Sequence, residues 1–276
     1  MSLRLRGAVA VVTGAASGIG RATALALASR GADLALADRD APGLEATAER
    51  ARAAGVRVTP HVFDMADAAA VAALPDAVVA EHGRATVLVN NAGVSLVGRF
   101  EEVSMDDVRW LMEINVFGLI GLTKAFLPTL LAQRAAQVVN VSSLFGLVAP
   151  AEQVAYATSK FAVRGFSEAL RHELEGTPVG VTVVHPGGIQ TSIAASARVG
   201  SDADPDEAAR STARFAETAL RMPPEKAAAL IVRAIERRRP RLLIGADARA
   251  GDALQRLLPG SYWRLLRREF EKITGR

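Results

Sequence analysis

Short apolar runs recur along the chain, and each is followed by a stretch with helical spacing. Residues 8–13, AVAVVT, are continuously apolar, the pattern of a strand buried on both faces. Largely apolar runs occupy 33–37, 86–90, 179–184 and 241–245, a further strand is read at about 56–63, and one built on Val138, Val139 and Val141 breaks at Ser142-Ser143. Helical periodicity follows the first run to about Arg30 and then covers about 41–54, 66–82, 104–134, 153–175 and 223–238. Alternating strands and helices predict an α/β fold, a doubly wound parallel sheet with helices on both faces. No repeat or linker interrupts the pattern. Residues 1–247 are therefore expected to form one domain and 248–276 a helical extension of it.

Two segments depart from this rhythm. Residues 192–222 are rich in Ala, Ser and Arg, with Asp-Ala-Asp-Pro-Asp at 202–206. They are expected to be an insertion of doubtful order, serving with 189–191 as a lid over a site. From about Ala248 an amphipathic helical pattern interleaves Leu254, Leu257, Leu258, Trp263, Leu266 and Phe270 with Arg256, Arg264, Arg267, Arg268 and Lys272. Such a tail packs on the core or a sister subunit, or rests as a basic helix on an anionic membrane surface.

Half the residues are hydrophobic, enough for a large core. The absence of cysteine excludes disulfides and thiolate metal sites. His61, His82, His172 and His185 are scattered without ligand spacing, so no metal is expected. The formal charge is +4 with a pI near 9.9, and arginine spread through the chain accounts for both without a nucleic-acid patch. The N-terminal MSLRLRG lacks an apolar signal core. The longest helical stretch carries Glu113, Asn115, Lys124 and Pro128, so no uncharged run of membrane-spanning length is expected and a cytoplasmic location is.

Candidate chemistry falls at the ends of the strands. The first run ends in Thr13-Gly14-Ala15-Ala16-Ser17-Gly18-Ile19-Gly20 before a helix. Glycines there let a backbone approach a phosphate, with the helix N-terminus supplying donors. Asp38 ends the second run, where a carboxylate can accept from an adenosine ribose; the adjacent Arg39 could instead pair with a 2′-phosphate. Asp64-Met65 and Asn90-Asn91-Ala92-Gly93 end the third and fourth. Asn115 lies in an apolar helix and needs partners, as a structural hydrogen-bonder or part of a proton path. Tyr156 and Lys160 lie four apart on one helix face. A free Tyr near 10 is a poor base at neutral pH, and a lysine cation beside it favours the phenolate. A serine hydroxyl at the same point would fix a substrate oxygen.

Together these motifs resemble the short-chain dehydrogenase/reductase family over about residues 5–245. The resemblance implies a Rossmann-type seven-stranded parallel sheet, here with a C-terminal helical tail, and a nicotinamide cofactor. Gly14, Ser17, Gly18, Ile19 and Gly20 would hold its pyrophosphate, Asp38 with Arg39 its ribose, and Asp64 with Met65 its adenine. Asn91, Ala92 and Gly93 would line its middle; Pro186, Gly187, Ile189 and Thr191 would contact the nicotinamide half. By the same resemblance Tyr156 is the acid/base and also contacts the cofactor, Lys160 lowers its pKa and binds the nicotinamide ribose, and Ser143 orients the substrate. Asn115 would hold a water linking Lys160 to solvent. Ser143 is preferred to Ser142 because Tyr156 lies thirteen residues on. Asp38 favours NAD over NADP.

Ser143, Phe145, Gln153, Tyr156 and Gly188 are the expected substrate contacts. Val94, Leu96, Leu147, Val148 and Ile193 add apolar wall, and Gln190 a second polar contact. This lining suits a hydrophobic secondary alcohol or ketone. The family often assembles through its two long helices, so a homodimer or homotetramer is expected. Two other readings stay open at this point: a cofactor-sensing protein without catalysis, and a binding protein held at a membrane surface by the basic tail.

Overall fold

Val9–Thr13 (β1) is buried along its whole length and lies inside the main sheet. The computed structural model describes residues 2–274. In chain order follow α1 (Gly18–Ala28), β2 (Asp33–Asp38), α2 (Ala41–Arg52), β3 (Val58–Val62), α3 (Ala68–His82), β4 (Val87–Asn90) and β5 (Leu96–Val97). Then come α4 (Met105–Met112), α5 (Leu119–Leu131), β6 (Ala136–Val141), α6 (Val154–Glu173) and β7 (Val179–Pro186). The chain continues through β8 (Arg198–Val199), α7 (Pro205–Ala219), α8 (Pro224–Glu236), β9 (Arg241–Ile244), α9 (Ala246–Leu257) and α10 (Tyr262–Thr274).

Seven strands form one sheet in the order β3-β2-β1-β4-β6-β7-β9, and every pairing is parallel. Parallel neighbours need crossover helices, which cover both faces and account for the uninterrupted apolar strands. One face buries Leu27, Leu34, Leu36, Leu44 and Ile231 beneath α1, α2 and α8. The other buries Leu88, Leu122, Phe126 and Leu130 beneath α3, α5 and α6. Strand order reverses between β1 and β4, where the C-terminal strand ends leave a crevice.

The stretch expected as one helix over 104–134 is divided. A π-helical turn, Glu113–Gly118, separates α4 from α5 and contains Asn115. Such turns insert a residue and often mark a functional position. By length and composition the run Met105–Leu131 is apolar enough to cross a bilayer, despite its charges. Its inner face is core, through Leu111, Leu122, Phe126 and Leu130.

The 192–222 segment is folded where doubtful order was expected. β8 pairs with β5 in a second, two-stranded sheet, and Asp204 caps α7 by accepting from the Asp206 amide. The buried Asp107 carboxylate accepts from Ser104 Oγ and the Ser201 amide, and pairs with Arg198 at 3.4 Å. The Arg198 guanidinium lies 3.6 Å from the centre of the Trp110 ring. These contacts tie the insertion to α4.

Candidate active site

The turn between β1 and α1 takes its shape from glycines. Gly14 and Gly18 have φ of 65° and 52°, where a side chain strains the backbone. A Cβ on Gly20 would collide with the Gly14 carbonyl oxygen. No acidic residue occupies the first turn of α1, so its N-terminal amides face the crevice without a competing anion. Thr13 Oγ1 accepts from the amides of Asn91 and Ala92, both at 3.0 Å, and Asn91 Nδ2 donates to the Thr13 carbonyl at 3.0 Å. The two glycine-containing loops are thus fastened to each other. Asp38 accepts from the Ala16 amide at 2.9 Å and the Asp40 amide at 3.0 Å. Arg39 reaches Asp64, 3.8 Å away.

Tyr156 and Lys160 lie one turn apart on α6, both buried, with the Lys160 Nζ 5.6 Å from the centre of the tyrosine ring. Lys160 Nζ donates to the Val141 carbonyl at 3.3 Å. Ser142 Oγ is committed to the Lys160 carbonyl at 2.8 Å, whereas Ser143 Oγ accepts from the Phe145 amide at 3.1 Å and lies beside the Tyr156 phenol. Asn115 is fully engaged: Oδ1 accepts from the Val94 amide at 2.8 Å, and Nδ2 donates to the Val94 carbonyl at 3.0 Å and Ser159 Oγ at 3.1 Å. A Cβ on Gly93 would lie 3.1 Å from Asn115 Oδ1 and 3.3 Å from Lys160 Nζ, so the missing side chain leaves the gap between them open.

Burial dominates the electrostatics. It pushes the Tyr156 phenol up to about 12, with the Ser143 hydrogen bond pulling the other way. It pushes Lys160 down to about 8. The expectation that Lys160 lowers Tyr156 is not met in the protein alone: desolvation of the phenolate dominates, and only the Ser143 hydrogen bond opposes it. Tyr156 is therefore a protonated acid at neutral pH.

Of the residues expected for catalysis, cofactor binding and substrate contact, all but Gly20, Asn115 and Gln190 line one cavity of about 970 Å³. Gly20 packs behind the glycine turn and Asn115 behind the Val94 backbone. Val94, Phe145, Val148 and Ile193 form wall as expected. Leu96 and Leu147 are instead core residues, and Gln190 faces a neighbouring groove. The sequence reading missed Trp110, Phe215, Leu254, Leu266, Phe270 and Ile273, which also line the cavity. An apolar stripe on a helix can be recognised in sequence, but the surface it meets cannot.

His185, fully buried at the end of β7, carries an Nδ1 that lies 3.0 Å from the Ser143 carbonyl, while its Nε2 has no partner. Burial takes this ring down to about 4, so it folds neutral. Because its folded pKa lies below the unfolded value, the unfolded chain binds the proton first, and stability falls as pH drops from about 6.5 through 4. The expected loss is about 3 kcal/mol. Urea unfolding across this range should show that slope in the wild type and a flatter one in His185→Asn.

A parallel sheet with a glycine turn at its switch point and a Ser–Tyr–Lys cluster at the adjacent strand ends defines a dinucleotide-dependent oxidoreductase class. The family model for short chain dehydrogenase matches residues 8–201. The chain is 43% identical over 263 residues to the putative oxidoreductase SadH of Mycobacterium tuberculosis, covering 94% of each chain. It superimposes on a short-chain dehydrogenase/reductase from Burkholderia phymatum in complex with NAD, with TM-score 0.86, 35% identity, and 93% and 95% of the two chains covered. A short-chain dehydrogenase from Burkholderia cenocepacia in complex with NADP gives TM-score 0.77 at 29% identity, covering 90% of this chain and all of that one. The protein belongs to the short-chain dehydrogenase/reductase family of oxidoreductases.

Proposed function

We propose that this oxidoreductase transfers hydride between NAD and an apolar secondary alcohol or ketone. The observation that carries the reading is one continuous cavity running from the glycine turn of α1, past Tyr156 and Lys160, into a chamber walled by aromatic and aliphatic side chains. The residues fit a dinucleotide: Gly14 and Gly18, at positive φ, make a tight turn in which a Cβ would press on Asn91 and Thr191, and Ser17, Gly18 and Ile19 at the α1 N-terminus line the cavity. Gly14, Ser17, Gly18 and Ile19 would hold the pyrophosphate, Asp38 the ribose, Asp64 and Met65 the adenine, and Ile189 and Thr191 the nicotinamide half. When bound, the nicotinamide supplies the hydride acceptor or donor.

The chain's own groups handle the proton and the substrate oxygen. Tyr156 gives its phenolic proton to the oxygen as a carbonyl is reduced, and takes it back in alcohol oxidation. Ser143 Oγ donates to the same oxygen and fixes the carbonyl plane. Lys160, cationic at neutral pH, offsets the negative charge left on the phenolate. Asn115 holds the Val94 backbone and the α6 helix around that cation, with Gly93 leaving room for a water between the two side chains.

At the ribose end, Asp38 presents a carboxylate where a 2′-phosphate would repel it, while Arg39 is drawn toward Asp64. Removing one unit charge beside the phosphate is worth about 1–2 kcal/mol in a partly wet site. Asp38→Ser should therefore raise the kcat/KM ratio of NADP to NAD by about tenfold. A ratio that stays put would mean that Arg39 governs the ribose. Self-association through α4, α5 and α6 is supported by the exposed Phe117, Val154 and Phe161. Sedimentation of a Phe117→Asp, Phe161→Asp double variant as the same species as wild type would count against that interface.

A further inference from the structure

We propose that the C-terminal helix α10 is a wall of the substrate chamber and sets the size of group the enzyme accepts, with Phe270 as the determining side chain. This rests on the proposed alcohol or ketone chemistry and goes beyond it. Leu266, Phe270 and Ile273 lie at helical spacing on α10, and all three line the cavity. The Phe145 ring stands between this wall and the catalytic tyrosine. Its centre is 6.1 Å from that of Tyr156 in an edge-to-face arrangement, 5.8 Å from Phe270 and 6.5 Å from Phe215 on α7. A run of aromatic contacts thus links the tail to Tyr156 through one intervening side chain.

The tail is fixed to the site at several points. Tyr262 Oη accepts from the Ala149 amide at 3.1 Å, in the loop that follows Ser143. α9 comes so close to Leu144 that a Cβ on Gly251 would lie 2.7 Å from the leucine side chain. Trp263 stacks obliquely on Phe270, 5.7 Å between centres, and buttresses it from outside the chamber. Glu269, also lining the cavity, pairs with Lys272 at 2.9 Å, so its charge is offset beside the apolar stripe. An apolar substrate group would meet Phe145, Phe215 and Phe270 on its way to Tyr156, and its bulk is limited by Phe270.

The test compares 2-butanone with 1-acetonaphthone in wild type, Phe270→Ala and Phe270→Trp. Ketone affinity is read from quenching of Trp110 and Trp263, and kcat/KM from NADH oxidation. NADH affinity serves as the check on folding. Phe270→Ala should favour the naphthyl ketone over butanone by at least about tenfold relative to wild type, acting mainly through KM. Phe270→Trp should shift the ratio the other way. With Ala unfolded, the Trp variant alone decides. Ratios unchanged in folded variants, or equal losses for both ketones, would overturn the proposal. If wild type binds both ketones but reduces neither, the proposed chemistry fails, and the binding ratios still decide the role of Phe270.

Discussion

Tyr156→Phe is expected to lower turnover by about two to four orders of magnitude while leaving NAD binding intact. The phenylalanine fills the same volume beside Phe145 and Lys160, so packing survives and only the transferable proton is lost. Tyr156 is 8% exposed, held protonated by burial and hydrogen-bonded to the Ser143 side chain. Turnover within a few-fold of wild type would place the proton transfer on another group. A loss of NAD affinity in parallel would mean that the variant damages the fold.

Lys160→Met should separate activity from stability. The lysine is 4% exposed, and burial alone accounts for its lowered pKa; among the described residues no carboxylate offsets the charge. A buried cation held this way costs the fold free energy, and an apolar side chain of similar length relieves it. With the ordinary value of 10.5 lowered to about 8, relief is about 2–3 kcal/mol at pH 7, less what the bond to Val141 contributes. The unfolded chain binds the proton more tightly here, so the penalty is full below about pH 8 and fades as pH rises toward 10.5. Lys160→Met should therefore be more stable at neutral pH, its advantage should shrink in alkali, and its activity should fall by about a hundredfold. A less stable variant would show that a water or backbone network compensates the charge. Unimpaired activity would remove Lys160 from the mechanism.

Much of the sheet was legible because a strand buried on both faces has little choice but to be mostly apolar, as β1, β4 and β7 are. The loops after those strands announced themselves through residues that strands avoid, from Gly14 to Gly187. The π turn at Asn115 left no trace in the sequence: tertiary hydrogen bonds to Val94 and Ser159 accompany it, and periodicity reports only local spacing. In the insertion, Asp204-Pro205 is a helix-start signal, but the buried stripe behind it is Ala208 and Ser211, too small to register as apolar periodicity. The tail showed its two-faced character plainly. Which surface it meets depended on Phe145 and Phe215, far from Phe270 in sequence. The tyrosine's raised pKa was likewise unreadable, since desolvation depends on everything packed around the ring.

The measurement that bears most directly on the central claim is the absorbance change at the nicotinamide band. Wild-type protein would be given NAD or NADP and secondary alcohols of graded apolarity, from 2-butanol to 2-octanol and 1-(1-naphthyl)ethanol. The expected result is reduction of NAD in preference to NADP, with kcat/KM rising with the apolar surface of the alcohol and far above that for a polyol. NAD(H) bound by the protein, with no alcohol or ketone turned over in either direction, would contradict it and leave a cofactor-sensing protein in its place.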